Sequence, residues 1–212
     1  MVLASFAISA QPSAETLKRV KQAVVSITTY DVANKPLLTG TGFFVSGRLI
    51  TNFHVVKGAQ GISIRTYDGR IYSATKISAA NEKNDLVVLQ VSDLVTNVTS
   101  LSAAFHSKAE GEMITVVGVS DQRSWKLATG VTTGTWFLNG AAYIGLTAQI
   151  RRGNSGSPVI NDLGEVVAIA TLHVASADDL NFAVPAQVMA ALLPCATDPC
   201  TLSTSLLPAN VR

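Results

Sequence analysis

The chain has 212 residues, of which 48% are hydrophobic and 14% are charged, and this composition excludes an intrinsically disordered protein. The 16 Lys and Arg residues against 14 Asp and Glu residues give a net charge of +2 with no long basic run, so nucleic acid is not an expected partner. The length suits either one large core or two small lobes.

The first residues form an apolar segment, which we assign to residues 1–12. Its apolar part is shorter than the roughly 20 residues that cross a bilayer, so no transmembrane segment is expected. The segment is consistent with the remnant of a signal sequence, although it lacks a basic start and fits an A-x-A cleavage site poorly. It therefore favours export only weakly.

A first lobe is predicted over residues 13–98. Ser13 has the side chain of a helix cap, with Glu15 in the first turn of a helix that extends to about Gln22. Six short β-type runs follow, separated by turn residues, at 23–30, 41–46, 48–52, 62–67, 70–79 and 85–91. Residues 99–110 are polar and weakly patterned, which indicates a linker between lobes.

A second lobe is predicted over residues 111–193, because the pattern of short runs repeats there. The runs are at 112–119, 125–134, 143–150, 157–161, 165–171 and 180–184. A closing helix is expected to carry Pro185 at its first position. Two groups of short strands predict an all-β protein, either a pair of antiparallel barrels or a sandwich.

The tail, residues 194–212, contains the only two cysteines, Cys195 and Cys200. A tight local disulfide between them is sterically plausible and favours export, and two free thiols remain the alternative. A zinc site is the weakest option, because neither His106 nor His173 stands at finger spacing from the pair. No metal or other cofactor is therefore expected.

The segment RRGNSGSPVIN, residues 151–161, places a serine in a glycine-flanked turn before an apolar strand. Acyl transfer needs a nucleophilic hydroxyl that projects from a turn, with backbone N–H groups directed at the developing oxyanion. Glycine permits that close backbone approach. Taken alone, the segment is equally consistent with an ordinary β-turn.

Two more segments favour the chemical interpretation. The segment TGTGFFVSGRLITNFHVV, residues 39–56, presents His54, whose imidazole can accept and return a proton near neutral pH. Asp85 stands at the start of an apolar strand, where a carboxylate can orient an imidazole. Either residue alone would be unremarkable.

Together the three segments resemble the trypsin-like serine proteases of the chymotrypsin fold, most closely the Deg/HtrA branch, in which the order is His, Asp, Ser. The resemblance implies two six-stranded antiparallel β-barrels with short terminal helices. It also implies a catalytic triad of His54, Asp85 and Ser155, and an oxyanion hole from the N–H groups of Gly153 and Ser155. Thr171 matches the position whose hydroxyl commonly supports the aspartate, although it is equally consistent with a plain strand residue.

The expected function is serine endopeptidase activity on unfolded or loosely folded proteins. Protein or peptide substrates are thus the expected partners, and by family analogy alone a homo-oligomer stays an open option. The alternatives are a catalytically silent binding or chaperone module with the same fold, and an esterase-type acyl hydrolase. Export to the periplasm or beyond is favoured, and a cytoplasmic location stays open.

The sequence also departs from the family pattern. The family usually has GNSGGP, whereas GNSGSP, with Ser157, resembles the glutamyl endopeptidases, but Ala170 occupies the place of their specificity histidine. Four residues are candidates for the specificity pocket, namely Gln149, Ile150, Leu172 and His173. Because Gln149 and Ile150 carry no charge, we expect a small or medium apolar preference.

Two further expectations concern regulation. Asn154 stands where pancreatic-type enzymes have an aspartate that pairs with a new N-terminus, so activation by N-terminal cleavage is not expected. Deg/HtrA proteins often carry PDZ domains after the protease, and the 19 residues of the tail, 194–212, are too few for one. The sequence therefore predicts a protease domain without a PDZ module.

Overall fold

The computed structural model describes residues 11–91, 98–105, 110–119, 124–174 and 180–193, with the side chains of Thr75, Leu172, His173, Val174 and Leu180 left out. Within these ranges the chain forms twelve strands and three helices. No helix in them is long and apolar enough to pass through a membrane. The apolar start of the chain, His106, both cysteines and the tail lie outside the described residues.

The first six strands close into an antiparallel barrel in the order β1-β2-β3-β6-β5-β4. Pairing of β1 with β4 completes the closure, with Ile27 opposite Ile64. The strands are β1 (Val24–Tyr30), β2 (Pro36–Val45), β3 (Arg48–Thr51), β4 (Gly61–Arg65), β5 (Ile71–Asn81) and β6 (Leu86–Val91).

The last six strands close into a second antiparallel barrel with the equivalent order, β7-β8-β9-β12-β11-β10. Val159 of β10 pairs with Val116 of β7 to complete it. Two six-stranded barrels confirm the predicted fold class. The strands are β7 (Met113–Val119), β8 (Trp125–Leu138), β9 (Ala141–Leu146), β10 (Pro158–Ile160), β11 (Val166–Val174) and β12 (Leu180–Pro185).

The helices are short, and they differ from expectation in two details. In α1 (Ala14–Ala23), the Ser13 hydroxyl accepts from the Thr16 N–H at 3.1 Å, as the sequence predicted. A single turn, α2 (Phe53–Val56), was not predicted. Pro185 precedes α3 (Ala186–Leu192) and is not its first residue, because it still pairs with Ala168 of β11 and keeps an extended backbone.

Apolar packing joins the barrels as well as filling them. Each barrel has its own buried cluster, and a third cluster takes side chains from both barrels, from α1 and from α3. Phe43 and Val88 of the first barrel belong to this shared cluster together with Val117 and Ile160 of the second. The interface between the barrels is therefore part of the core. Its burial stabilises the fold by roughly 25 cal/mol per Å² of apolar surface.

Candidate active site

The residues predicted to carry the chemistry lie in equivalent connections of the two barrels. His54 lies in α2, in the connection after the third strand of the first barrel, and Ser155 lies in the connection after the third strand of the second, β9. Asp85 immediately precedes β6. A Cβ built on Gly40 would lie 2.8 Å from Val55 Cγ1 and 3.3 Å from Ser155 O. The serine turn and the histidine helix thus pack on the same strand, β2.

His54 and Asp85 are hydrogen-bonded to each other through side chain and backbone. The His54 Nδ1 lies 2.6 Å from Asp85 Oδ2, and the His54 N–H donates to Asp85 Oδ1 at 2.8 Å. The Thr171 hydroxyl donates to Asp85 Oδ2 at 2.5 Å. The carboxylate therefore has three donors around it, two of which belong to the same residue, His54.

The backbone of Asp85 is also fixed by the segment that leads into α2. Asp85 has a φ of +54°, in the left-handed region that ordinary residues seldom adopt. Its carbonyl accepts from the Phe53 N–H at 3.1 Å and from Asn52 Nδ2 at 2.9 Å. Asn52 is fully buried. The sequence analysis did not identify Asn52, and its place two residues before His54 was the only signal for it.

Two consecutive turns present Ser155. Asn154 N–H donates to Arg151 O at 2.9 Å, and Ser157 N–H donates to Asn154 O at 3.0 Å. Gly153 (φ +92°) and Gly156 (φ +84°) occupy the third positions of these turns, which is the pattern of type II turns. The two glycines that attracted attention in the sequence are therefore required by the backbone on either side of Ser155.

Gly156 is further constrained by close contact with the first barrel. A Cβ at this position would collide with Thr41 O and Thr51 Oγ1. The neighbouring carbonyl, Ser155 O, accepts from the Thr41 N–H at 2.8 Å. The turn that carries Ser155 thus rests directly on β2 and β3, with no room for a side chain at its second glycine.

The unusual Ser157 occupies space left by a glycine on β7. Its side chain is fully buried, and its Oγ has no hydrogen-bond partner in the described part of the chain. A Cβ on Gly118 would lie 2.5 Å from Ser157 Oγ and 2.8 Å from Asn154 Oδ1. Gly118 therefore leaves room for Ser157, which departs from the family pattern, and for the neighbouring Asn154.

The candidate pocket residues differ in how they are placed. Ile150 is buried, and its N–H donates to Asn181 Oδ1 at 3.0 Å. Gln149 is exposed, and its Oε1 accepts from Arg151 Nη2 at 2.6 Å. Asn181, on β12, was not identified from the sequence. Leu172 and His173 lie on β11, opposite Phe182 and Asn181, and their side chains lie outside the described residues.

The hydroxyl of Tyr143, on β9, is influenced by the charge of Asp85 in the candidate site. Partial burial raises the pKa of its hydroxyl above the ordinary value, and the negative charge of Asp85 adds to the increase. Its ring packs edge-on against Phe182 with 6.3 Å between centroids. No sequence pattern indicates that a residue of β9 is influenced by Asp85.

Comparison with known proteins shows which family the chain resembles. The family described as trypsin-like peptidase domain matches residues 40–169. A probable periplasmic serine endoprotease DegP-like of Hahella chejuensis is 33% identical over 159 residues, which cover 71% of this chain and 34% of that protein. Serine protease HTRA1B of Danio rerio is 28% identical over 190 residues, which cover 82% of this chain and 39% of that protein. The chain thus spans about two fifths or less of the length of these relatives.

The fold is similar to that of a solved protease. The crystal structure of the Rv3671c protease from M. tuberculosis, active form, superposes with a TM-score of 0.78, and the match covers 92% of each chain. The sequences are 21% identical, so this likeness supports the two-barrel fold alone.

Proposed function

Because this chain belongs to the trypsin-like peptidase family, with relatives in the Deg/HtrA branch, we propose that it is a serine endopeptidase. Ser155 attacks the scissile carbonyl while His54 accepts its proton and later returns it to the leaving amine. Asp85 holds the imidazole. Water then repeats the cycle on the acyl-enzyme and regenerates the Ser155 hydroxyl.

The observation that carries the proposal is the bonding of His54 to Asp85. The carboxylate at 2.6 Å from Nδ1 places the proton on that nitrogen, which leaves the lone pair of Nε2 to accept from Ser155. The bond from the Thr171 hydroxyl to Asp85 Oδ2 fixes the orientation of the carboxylate. Thr171 therefore acts on the imidazole through Asp85.

The nucleophile turn supports an oxyanion hole formed by Gly153 and Ser155. The N–H groups of Asn154, Gly156 and Ser157 all donate to backbone carbonyls. Those of Gly153 and Ser155 donate to no group in the described part of the chain, so both can donate to an oxyanion. Removal of one such donor typically costs about 3 to 4 kcal/mol of transition-state stabilisation.

We propose substrates that are unfolded or loosely folded proteins, cut after a small or medium apolar residue. The candidate pocket segment carries uncharged side chains at Gln149 and Ile150, which offer no ion pair to a basic or acidic substrate side chain. Ala170 is buried and uses both backbone groups, because it accepts from Gly156 N–H and donates to Ser157 O. Its backbone groups are therefore occupied, and its methyl side chain offers no donor to an acidic substrate residue.

A fluorophosphonate probe tests the proposal. The folded protein is expected to be labelled at Ser155 and to cleave casein, and Ser155→Ala should lose labelling and lower kcat by a factor on the order of 10⁶, the size seen in another serine protease. Ser157→Ala is the matched control, because it removes a buried hydroxyl two residues away and should keep the label. Absence of both labelling and casein cleavage in the wild-type protein would contradict the proposal.

We also propose that the protein acts outside the cytoplasm. The apolar residues 1–12 and the closely spaced Cys195 and Cys200 support this location, and the Hahella chejuensis relative is named as periplasmic. Mass spectrometry of protein from fractionated host cells tests it. Extracytoplasmic protein with a Cys195–Cys200 disulfide is expected, and cytoplasmic protein with two free thiols would contradict it.

A further inference from the structure

Thr41 lies on β2 at the interface of the barrels and is fully buried. Its hydroxyl lies 2.6 Å from Gly153 O and 2.9 Å from the Val119 nitrogen. Its backbone N–H donates to Ser155 O at 2.8 Å, and its carbonyl accepts from Thr51 Oγ1 at 2.7 Å. All of its polar groups are thus paired. Two of them contact carbonyls of the nucleophile turn, which is the pair of turns at residues 151–157 around Ser155.

The direction of the bond from the Thr41 hydroxyl is fixed by its partners. The Val119 N–H can only donate, and Gly153 O can only accept. The hydroxyl therefore accepts from Val119 and donates to Gly153, so it connects the end of β7 to the first turn of the nucleophile segment. A side chain of the same shape without the hydroxyl would leave both backbone groups without this partner.

These bonds fix two peptide units of the nucleophile turn. Each unit lies next to an N–H group, that of Gly153 or Ser155, which donates to no group in the described part of the chain. The unit between Gly153 and Asn154 is held at its carbonyl by Thr41 and at its N–H by Arg151 O. The unit between Ser155 and Gly156 is held at its carbonyl by Thr41 and at its N–H by Ala170 O. Each of these two peptide units directly follows an N–H group, that of Gly153 or Ser155, which is proposed to bind the oxyanion.

We propose that Thr41 is a positioning residue that holds the oxyanion-binding N–H groups in place through the carbonyls of Gly153 and Ser155. It touches neither the substrate nor Ser155 Oγ in this role. The glycine before it lets the turn approach closely, because a Cβ on Gly40 would lie 3.3 Å from Ser155 O. The inference rests on the proposed peptidase function.

The test compares Thr41→Val, which keeps the shape, with Thr41→Ser, which keeps the hydroxyl. Since loss of a whole oxyanion donor lowers kcat by about 10² to 10³, we expect Thr41→Val to lower kcat about 10- to 100-fold with KM changed less than about threefold. Affinity for a peptide boronic acid, whose oxygen occupies the oxyanion position, should fall in parallel. Thr41→Ser should restore both to within about threefold.

Thr29→Val is the matched control. Thr29 is buried on β1, and its hydroxyl accepts from the Leu38 N–H at 3.2 Å and donates to Leu38 O at 3.3 Å, so neither bond involves the nucleophile turn. It should lose thermal stability as Thr41→Val does, with kcat and boronic acid affinity unchanged. Equal losses of kcat in the two valine variants, or an unchanged boronic acid affinity in Thr41→Val, would overturn the role of Thr41.

Two further outcomes are decided by the same series. If Thr41→Val does not fold, Thr41→Cys takes its place, because a thiol is a weak donor of similar size; a kcat equal to that of Thr41→Ser would then overturn the inference. A wild-type protein that neither reacts with fluorophosphonate nor cleaves casein would overturn the peptidase proposal, and the role of Thr41 with it. If the wild-type protein is active, the peptidase proposal holds and the Thr41 variants test the positioning role alone.

Discussion

The two barrels share one strand order, and the connection after the third strand contributes to the candidate site in both. In the first barrel this connection is the helical turn α2, where His54 is held through its side chain by a carboxylate. In the second it is a pair of glycine turns around Ser155, where backbone groups make the contacts. The same topology thus supports a site fixed by side-chain bonds on one side and by backbone geometry on the other.

Replacement of the Asp85 carboxylate tests the side-chain half of this comparison. Asp85→Asn puts an amide where the carboxylate accepts from His54 Nδ1 and Thr171. An NH₂ group opposite Nδ1 favours the tautomer with its proton on Nε2, so kcat should fall by about 10⁴-fold, as it does in a known serine protease triad. Steady-state kinetics on a peptide substrate measure it.

Glu82→Gln is the control for Asp85→Asn. Glu82 belongs to the same turn, and its exposed carboxylate pairs with Lys57 at 2.9 Å. Such a surface pair contributes less than about 1 kcal/mol, and the variant should keep kcat within about twofold. If Asp85→Asn also stays within tenfold of the wild type, the carboxylate does not orient His54.

The backbone half is tested by Gly156→Ala. The left-handed backbone, φ +84°, costs a non-glycine residue about 1 to 2 kcal/mol, and the collision with Thr41 O and Thr51 Oγ1 adds about 1 to 3 kcal/mol. The free energy of unfolding in urea should fall by the sum, and activity should be lost.

Gly47→Ala separates strain from contact. Gly47 has φ +71° in the turn between β2 and β3, and a Cβ there would meet nothing within 4 Å. Only the cost of the left-handed backbone is expected, about 1 to 2 kcal/mol, with full activity. Equal destabilisation of the two variants would show that close packing around Gly156 is unimportant.

A smaller effect concerns how the second barrel tolerates Ser157. Gly118→Ala brings a Cβ to 2.5 Å from Ser157 Oγ and should cost about 1 to 3 kcal/mol. Ser157→Ala removes a buried hydroxyl without a described partner and should change stability by less than about 1 kcal/mol. In the double variant the losses should not add, with a coupling of about 1 kcal/mol measured by urea unfolding. Strict additivity would contradict the compensation between these residues.

Local sequence signals predicted much of the fold and the order of the candidate residues. Short apolar runs with turn residues between them gave the strands, and the matches to known proteins confirm the trypsin-like family inferred from residues 39–56 and 151–161. The helix cap at Ser13 was also local and correct. These features depend on neighbours in the sequence, which is why a single chain was enough to reveal them.

Features set by contacts between distant segments were missed. Thr41 bonds to a carbonyl 112 residues away, and no periodicity within β2 points to that partner. Strand β8 continues to Leu138, beyond the predicted end at Gly134, through an irregular register near that glycine. The turn α2 has only four residues, too few for a helical pattern.

Tyr143 belongs to the second barrel, and its hydroxyl is influenced by Asp85, which precedes β6 of the first barrel. Its pKa is raised above the ordinary value of 10.0 by burial and by the charge of Asp85. The stability that the protonated Tyr143 hydroxyl contributes to the folded state is therefore fully present below pH 10. It is lost as the pH rises through the higher pKa of the folded state, because the unfolded chain releases the proton first. Tyr143→Phe should lessen the fall of the melting temperature between about pH 10 and 11. Its curve should match that of the wild type at pH 7 to 9 apart from a constant offset, whereas parallel curves up to pH 11 would mean that Asp85 and burial do not act on this hydroxyl.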